Sequence, residues 1–482
     1  MHQRRPNILF VLSDQHNPHW LGHAGHPWVR TPHLDALARA GLRFENCYCQ
    51  NPLCVPSRAA LVTGRYSRNQ GIYDNQHILE ANSVTFPRIL SQAGYRTCLI
   101  GKAHFNGEQF HGYQQRPYGD WFGQAHQPDP RRTPDKGESG LGEWLQQPGP
   151  SGIPLPLTQT EICVAETAKW LQLHQGLHPQ QPFLLSVHFD KPHFPFNPPP
   201  ALFEHSLRHA RLPRVRDPHF RTSVPFVRQA IRWLYPAEPG RLSNAEQEQR
   251  RRTLAAYAGC VEWVDDAVGR VLEVLDYLGL ADDTLVIYSS DHGEMAGEHG
   301  LWQKSVFFEA SARVPLLMRW PGRIAPAKRV AVPVGLIDLF PTLCAVAGVS
   351  APATCDGQSL LPVLDGGRLH RDAIYSESVL LKQPEHAGCM IRSGPWKYNL
   401  YLDGAEELYH LPDDPHEECN LAGKSQHAAR VGTLRRQVER FWEPQAQLAR
   451  YQRTPRMARE KHFYFYSNQF LTGEGIVVDA QP

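Results

Sequence analysis

The sequence predicts an α/β fold with a largely parallel sheet flanked by helices. Two observations carry this. Five short runs are apolar nearly throughout: residues 7–13 (NILFVLS), 96–100 (RTCLI), 183–189 (FLLSVHF), 284–290 (TLVIYSS) and 314–319 (VPLLMR). Such runs are typical of parallel strands whose two faces are both covered by helices. Stretches with helical spacing lie between them, and strands alternating with helices build doubly wound sheets.

The run at 7–13 follows a basic start, MHQRRP. It is short and lacks a small-residue cleavage site, so it reads as the first strand rather than a leader. Residues 33–40 read as a helix stopped by Gly41. Residues 245–277 place Leu254, Tyr257, Val261, Val264, Val268, Val271, Leu272 and Leu275 at helical spacing and meet Gly279. Residues 127–156 and the proline-dense 192–200 read as long loops over the sheet, where function often sits. Composition shifts near residue 365. Beyond it, 397–402 (KYNLYL) and 407–410 (ELYH) read as strands and 428–442 as a helix, a small C-terminal α+β subdomain. The expected organisation is an α/β domain over 1–365, the subdomain over 366–450 and a tail over 451–482. The tail's aromatic run FYFYSNQF suits either a cover over the site or an oligomer interface.

Composition excludes several classes. A chain of 482 residues, 41% hydrophobic and 20% charged, is neither disordered nor fibrous. No apolar run approaches the ~20 residues that span a bilayer, so no membrane role is expected. Lys and Arg number 50 against 48 Asp and Glu, with no basic run, which gives no nucleic-acid footprint. Ten cysteines without a recognisable leader argue against a disulfide framework and for cytoplasmic residence. Cys47 and Cys49 form a C-x-C, and nothing nearby completes a zinc site.

Polar residues cluster where strands end. The first strand runs into Asp14-Gln15 and the second into Gly101-Lys102-Ala103-His104. The third leads to Asp190-Lys191-Pro192-His193, the fourth to Asp291-His292-Gly293-Glu294. Ligands of open α/β sheets bind beyond the carboxyl ends of the strands. Asp14 and Asp291 are hard oxygen donors suited to Ca²⁺, Mg²⁺ or Mn²⁺, with Gln15 and His292 able to add an amide oxygen and a nitrogen. Singly, each aspartate reads better as a helix cap. Together at two strand ends they favour a metal. Lys102, His104, His193 and Lys304 are cations or proton carriers whose alternative reading is a solvated side chain; Lys304, in L-W-Q-K, has little context of its own.

Cys54 begins the run C-V-P-S-R-A-A-L-V-T-G-R. Pro56 suits a first helical turn. A helix start there turns unpaired N–H groups and positive dipole toward an anion, and Arg58 adds a planar cation.

The motif C-V-P-S-R followed by L-V-T-G-R resembles the signature of type I sulfatases, within the alkaline phosphatase superfamily. Further matches follow in chain order: P-N-I-L-F-V-L-S-D-Q, G-K-A-H, K-P-H-F-P, S-D-H-G-E-M-x-G-E-H-G-L-W-x-K and E-L-Y-H-L-x-x-D-P-x-E-x-x-N-L. They span residues 6–421. The resemblance implies an alkaline-phosphatase-like α/β domain and a small C-terminal domain. It implies Cα-formylglycine made from Cys54 by a formylglycine-generating enzyme or equivalent maturase. It implies one divalent metal, Ca²⁺ before Mn²⁺ or Mg²⁺, held by Asp14, Gln15, Asp291, His292 and residue 54. Cys54, Arg58, Lys102, His104, His193 and Lys304 match the catalytic residues. His188 competes with His193, but only His193 lies in the P-H-x-P context. Many sulfatases carry Asp-Asp at the first metal position; Asp14-Gln15 is the form of choline-sulfatase-like and phosphonate-monoesterase-like members. The stretch from Asn75 through G-K-A-H-F-N-G to His111-Gly112-Tyr113 is also similar to choline-sulfatases.

The implied reaction is hydrolysis of a sulfate ester to alcohol and sulfate. One hydroxyl of the formylglycine hydrate attacks sulfur, with metal, Lys102, Lys304 and Arg58 offsetting charge. His193 or Lys304 protonates the leaving alcohol, and His104 takes the proton of the second hydroxyl so that sulfate departs. The rival on the same scaffold is a phosphonate monoester hydrolase or phosphodiesterase. A binding protein with an inert Cys54 and a cysteine hydrolase using a Cys–His pair are more distant readings. Trp121, Phe122, Trp144 and Trp302 could hold a choline head or a sugar, but packing is the simpler role for each.

Overall fold

The computed structural model describes residues 5–106, 109–119, 148–213, 224–228, 242–380, 383–453, 469–471 and 477–479. Nine strands form the main sheet: β1 Asn7–Asp14, β2 Leu42–Tyr48, β3 Arg96–Gly101, β4 Gln115–Tyr118, β5 Phe183–Pro192, β6 Thr284–Ser290, β7 Arg313–Arg319, β8 Lys328–Val330 and β9 Val334–Gly335. Their order is β4-β3-β5-β1-β6-β7-β2-β8, with β9 also on β2.

The run β4-β3-β5-β1-β6 is parallel. β7 is not: it lies antiparallel to both β6 and β2. The fifth apolar run is therefore a strand but not a parallel one. Its apolar residues report burial on both faces, which does not depend on direction. β2 has no counterpart among the apolar runs, because LRFENCY mixes charges into a half-buried strand.

All eight residues of β1 are buried, which explains its apolar composition. Ile8, Phe10 and Leu12 join the core beneath helices Cys54–Thr63, Phe86–Gln92 and Leu339–Val346. Leu9 and Val11 join the opposite core beneath Pro32–Ala40, Gln159–Leu177 and Asn244–Tyr277. The last helix opens with a capping box between Ser243 and Glu246. Its Asp265 accepts the backbone N–H groups of His33 and Leu34 at 3.2 and 2.8 Å, capping the neighbouring helix.

A second sheet pairs β10 Ile374–Leu380, β11 Gln383–Ser393, β12 Trp396–Tyr401 and β13 Glu406–His410 antiparallel in sequence order. Val431, Leu434 and Val438 of helix Ala428–Phe441 pack on it. The expected α+β composition beyond residue 365 is present, with two strands more than anticipated. Lys397, fully buried, joins the sheet to the main domain through Glu309 at 2.9 Å and also pairs with Glu417 of its own subdomain at 2.7 Å. Most of the tail lies outside the described residues, which retain one antiparallel pair, Gln469–Leu471 with Val477–Asp479. Much of the long loop expected at 127–156 also lies outside them.

Candidate active site

The parallel register sets the site. Ser13 pairs with Ser290, so Asp14 and Asp291 leave adjacent strands side by side. Gly101 pairs with His188, bringing the chain after β3 to the same edge. Cys54 is the first residue of a helix in which every residue is buried. Ser57 Oγ donates to the Asp291 carbonyl and ties that helix to β6. The helix start is less open than the sequence suggests: Asn75 Oδ1 accepts the Val55 N–H at 3.0 Å.

Ligand atoms of Asp14, Cys54, Asp291 and His292 lie within 4.8 Å of one another, all buried. Cys54 Sγ is 3.1 Å from His292 Nε2. That nitrogen is 3.8 Å from Asp14 Oδ1 and 3.7 Å from Asp291 Oδ1. Asp14 Oδ1 is buried without a hydrogen-bond donor. A buried anionic oxygen left so is costly. Two carboxylates and an imidazole around it form an oxygen-rich donor set that fits a divalent cation.

Arg58 lies under this cluster rather than in open space. Its Nε donates to Asp291 Oδ2 at 2.8 Å, Nη2 to Asp14 Oδ2 at 3.0 Å and Nη1 to the Lys102 carbonyl at 2.7 Å. Lys102 Nζ is 2.5 Å from Asp14 Oδ2. Burial pushes Asp14 up, but Lys102, His193 and Arg58 outweigh it and hold the carboxyl well below its usual range. Burial likewise raises the Cys54 thiol, yet Lys304 and Lys102 leave its pKa lowered.

Gln15 takes a left-handed φ of 67°. Its backbone N–H donates to Asp291 Oδ1 at 3.1 Å, its Nε2 donates to Glu294 Oε2, and its Oε1 accepts from Lys304 Nζ. Lys304 also donates to His193 Nε2 at 2.8 Å, and His193 Nδ1 meets the Phe194 carbonyl at 2.7 Å. Burial and the Lys304 charge hold His193 well below its ordinary pKa. The ammonium thus faces a neutral imidazole whose proton sits on Nδ1.

His104, at φ 52°, has its Nδ1 buried and without a partner. Burial, then Lys102 and Arg58, push its pKa well below the ordinary histidine value. His188 lies behind the cluster. Its Nδ1 reaches the Lys102 carbonyl at 3.1 Å and its ring meets Phe10 edge-on. The structure therefore brings His193, and not His188, to Lys304.

Every residue singled out from the sequence for catalysis or metal binding comes to this edge. Sequence reasoning named Glu294, in the D-H-G-E run, and Asn75, but gave neither a role in the site. Trp302 is buried in the same apolar cluster as Trp20 and Tyr257, a packing role. Trp121, Phe122 and Trp144 lie outside the described residues.

Residues 6–349 match the family model described as sulfatase. Residues 297–443 match one described as N-sulphoglucosamine sulphohydrolase, C-terminal. The chain is 32% identical to choline-sulfatase of Rhizobium meliloti (strain 1021), over 87% of this chain and 82% of that protein. It is 27% identical to N-acetylglucosamine-6-O-sulfatase of Bacteroides thetaiotaomicron, over 90% of this chain and 86% of that protein. The crystal structure of phosphonate monoester hydrolase of Agrobacterium radiobacter superposes with a TM-score of 0.75 at 24% identity, covering 99% of this chain and 100% of that one. At that identity the likeness speaks for the fold alone.

Proposed function

The chain belongs to the sulfatase family, the sulfuric ester hydrolases, and we propose that it hydrolyses a small sulfate ester at Cys54, converted to formylglycine, beside one divalent cation. The observation that carries this is the convergence of Asp14, Cys54, Asp291 and His292 within 4.8 Å. These four and Gln15 would hold the ion, Ca²⁺ before Mn²⁺ or Mg²⁺ for a set dominated by oxygen. When bound, the ion supplies Lewis acidity toward a sulfuryl oxygen and a nearby hydroxyl. Formylglycine, made by a maturase, supplies as its hydrate a nucleophilic hydroxyl and a second, ionisable one.

The chain's own residues do the rest. Arg58 fixes both carboxylates with one planar group. Lys102 and Lys304 place positive charge around the sulfuryl oxygens; unit charges 4 Å apart interact by roughly 4 kcal/mol at an effective dielectric of 20. Lys304, hydrogen-bonded to neutral His193, presents a proton to the leaving oxygen. His104, kept neutral, accepts the proton that must leave residue 54 for sulfate to depart. Ten unpaired cysteines suit a reducing compartment, in line with cytoplasmic residence.

The test is a kinetic panel of choline sulfate, aryl sulfate, sugar O-sulfate and N-sulfate, an aryl phosphonate monoester and an aryl phosphodiester. A sulfate ester with the highest kcat/KM is the expected result. Preference for the aryl phosphonate monoester would replace this reading with the phosphonate one, to which Asp14-Gln15 and the shared fold lend support.

A further inference from the structure

Glu294 is fully buried next to the cluster, and both its oxygens are engaged. Oε1 takes the backbone N–H groups of Ala296 and Gln303 at 2.9 and 2.6 Å. Oε2 takes Gln15 Nε2. One carboxylate thus stitches the loop that delivers Lys304 and grips the side chain after Asp14. The orientation of the Gln15 amide is set from both ends. Glu294 offers only an acceptor and so faces the NH₂ group; Lys304 offers only donors and so faces the oxygen. A carboxylate at position 15 would meet the Glu294 carboxylate in a buried setting, where like charges repel strongly.

We propose that Glu294 is a positioning residue that fixes Gln15 and Lys304 together, and that position 15 carries an amide because position 294 carries a carboxylate. This rests on the sulfate-ester reading only for its kinetic arm. The chemistry permits an exchange. In the double variant Gln15→Glu/Glu294→Gln, the amide oxygen now at position 294 still accepts from Ala296 and Gln303. The NH₂ group beside it donates to the carboxylate now at position 15, and that carboxylate still accepts from Lys304. Net charge is unchanged.

The experiment compares wild type, Gln15→Glu, Glu294→Gln and the double variant. Melting temperature is measured in EDTA, and kcat and KM on the best sulfate ester. Each single variant should melt lower and lose about tenfold in kcat with KM little changed, as for coupled neighbours. The double variant should recover melting and should exceed the product of the two singles in kcat by about tenfold, short of wild type because position 15 also faces the cation site. A purely structural role would restore melting and leave kcat no better than the product of the singles, which rejects positioning. A double variant whose melting is not restored either, or one still unfolded where the singles do not fold, overturns the pairing. Absence of sulfate-ester hydrolysis by wild type would sink the functional reading instead, while the melting arm still judges the pairing.

Discussion

Replacing Arg58 with lysine keeps the charge and removes the fork, so it separates geometry from electrostatics. The guanidinium makes three hydrogen bonds, at 2.8 Å to Asp291, 3.0 Å to Asp14 and 2.7 Å to the Lys102 carbonyl. Lysine donates from a single nitrogen and cannot reach all three directions, so two contacts are lost. Hydrogen bonds to charged groups contribute about 1.5–3 kcal/mol each, giving a loss of about 3–6 kcal/mol. Burial magnifies the loss, since Asp14 and Asp291 are fully enclosed and water cannot replace the missing donors. If the loss falls on the reacting geometry, kcat/KM drops about 10²- to 10⁴-fold, at about 1.36 kcal/mol per tenfold. The assay is steady-state kinetics of Arg58→Lys, with melting in EDTA and in excess Ca²⁺. A variant within about threefold of wild-type kcat/KM, melting unchanged, would refute the role given to the fork.

Cys54→Ala should abolish turnover in the sulfate-ester assay while leaving the far-ultraviolet dichroism intact; full retained activity contradicts the nucleophile assignment. His104 gives a pH prediction. Burial, Lys102 and Arg58 hold its pKa well below the ordinary histidine value, so the neutral base persists at mildly acidic pH and is lost only as pH falls through that lowered value. The kcat profile should therefore show no acid limb near pH ~6.5, the ordinary value for histidine; a limb there assigns an exposed base instead. Lys397→Met strands Glu309 and Glu417 in the interior and should cost about 3–5 kcal/mol in denaturant unfolding. A loss under about 1 kcal/mol would mean that the bridge does not hold the second sheet to the main domain.

Much of the site was legible because a parallel sheet concentrates chemistry at one edge. Asp14, Lys102, His193 and Asp291 each follow an apolar run, and such a run shows in sequence where it ends. Lys304 follows no strand; what places it is a loop held by the Glu294 side chain. Glu294 was visible as a residue, but its burial and its grip on Gln15 arise only when β1 and β6 lie side by side. Arg58 reads in sequence as a cation toward substrate, and its neighbours make it the tie between two carboxylates. The direction of β7 was not legible, since burial on both faces leaves the same apolar pattern in either direction. β10 and β11 escaped because strands of mixed polar and apolar composition carry little clear periodicity.

The most direct measurement is the mass of the tryptic peptide spanning residues 44–58, FENCYCQNPLCVPSR, taken from enzyme that hydrolyses a sulfate ester. The expected result is replacement of the Cys54 CH₂–SH by an aldehyde or its hydrate, with Cys47 and Cys49 intact. Active enzyme in which Cys54 is wholly unmodified would contradict the account.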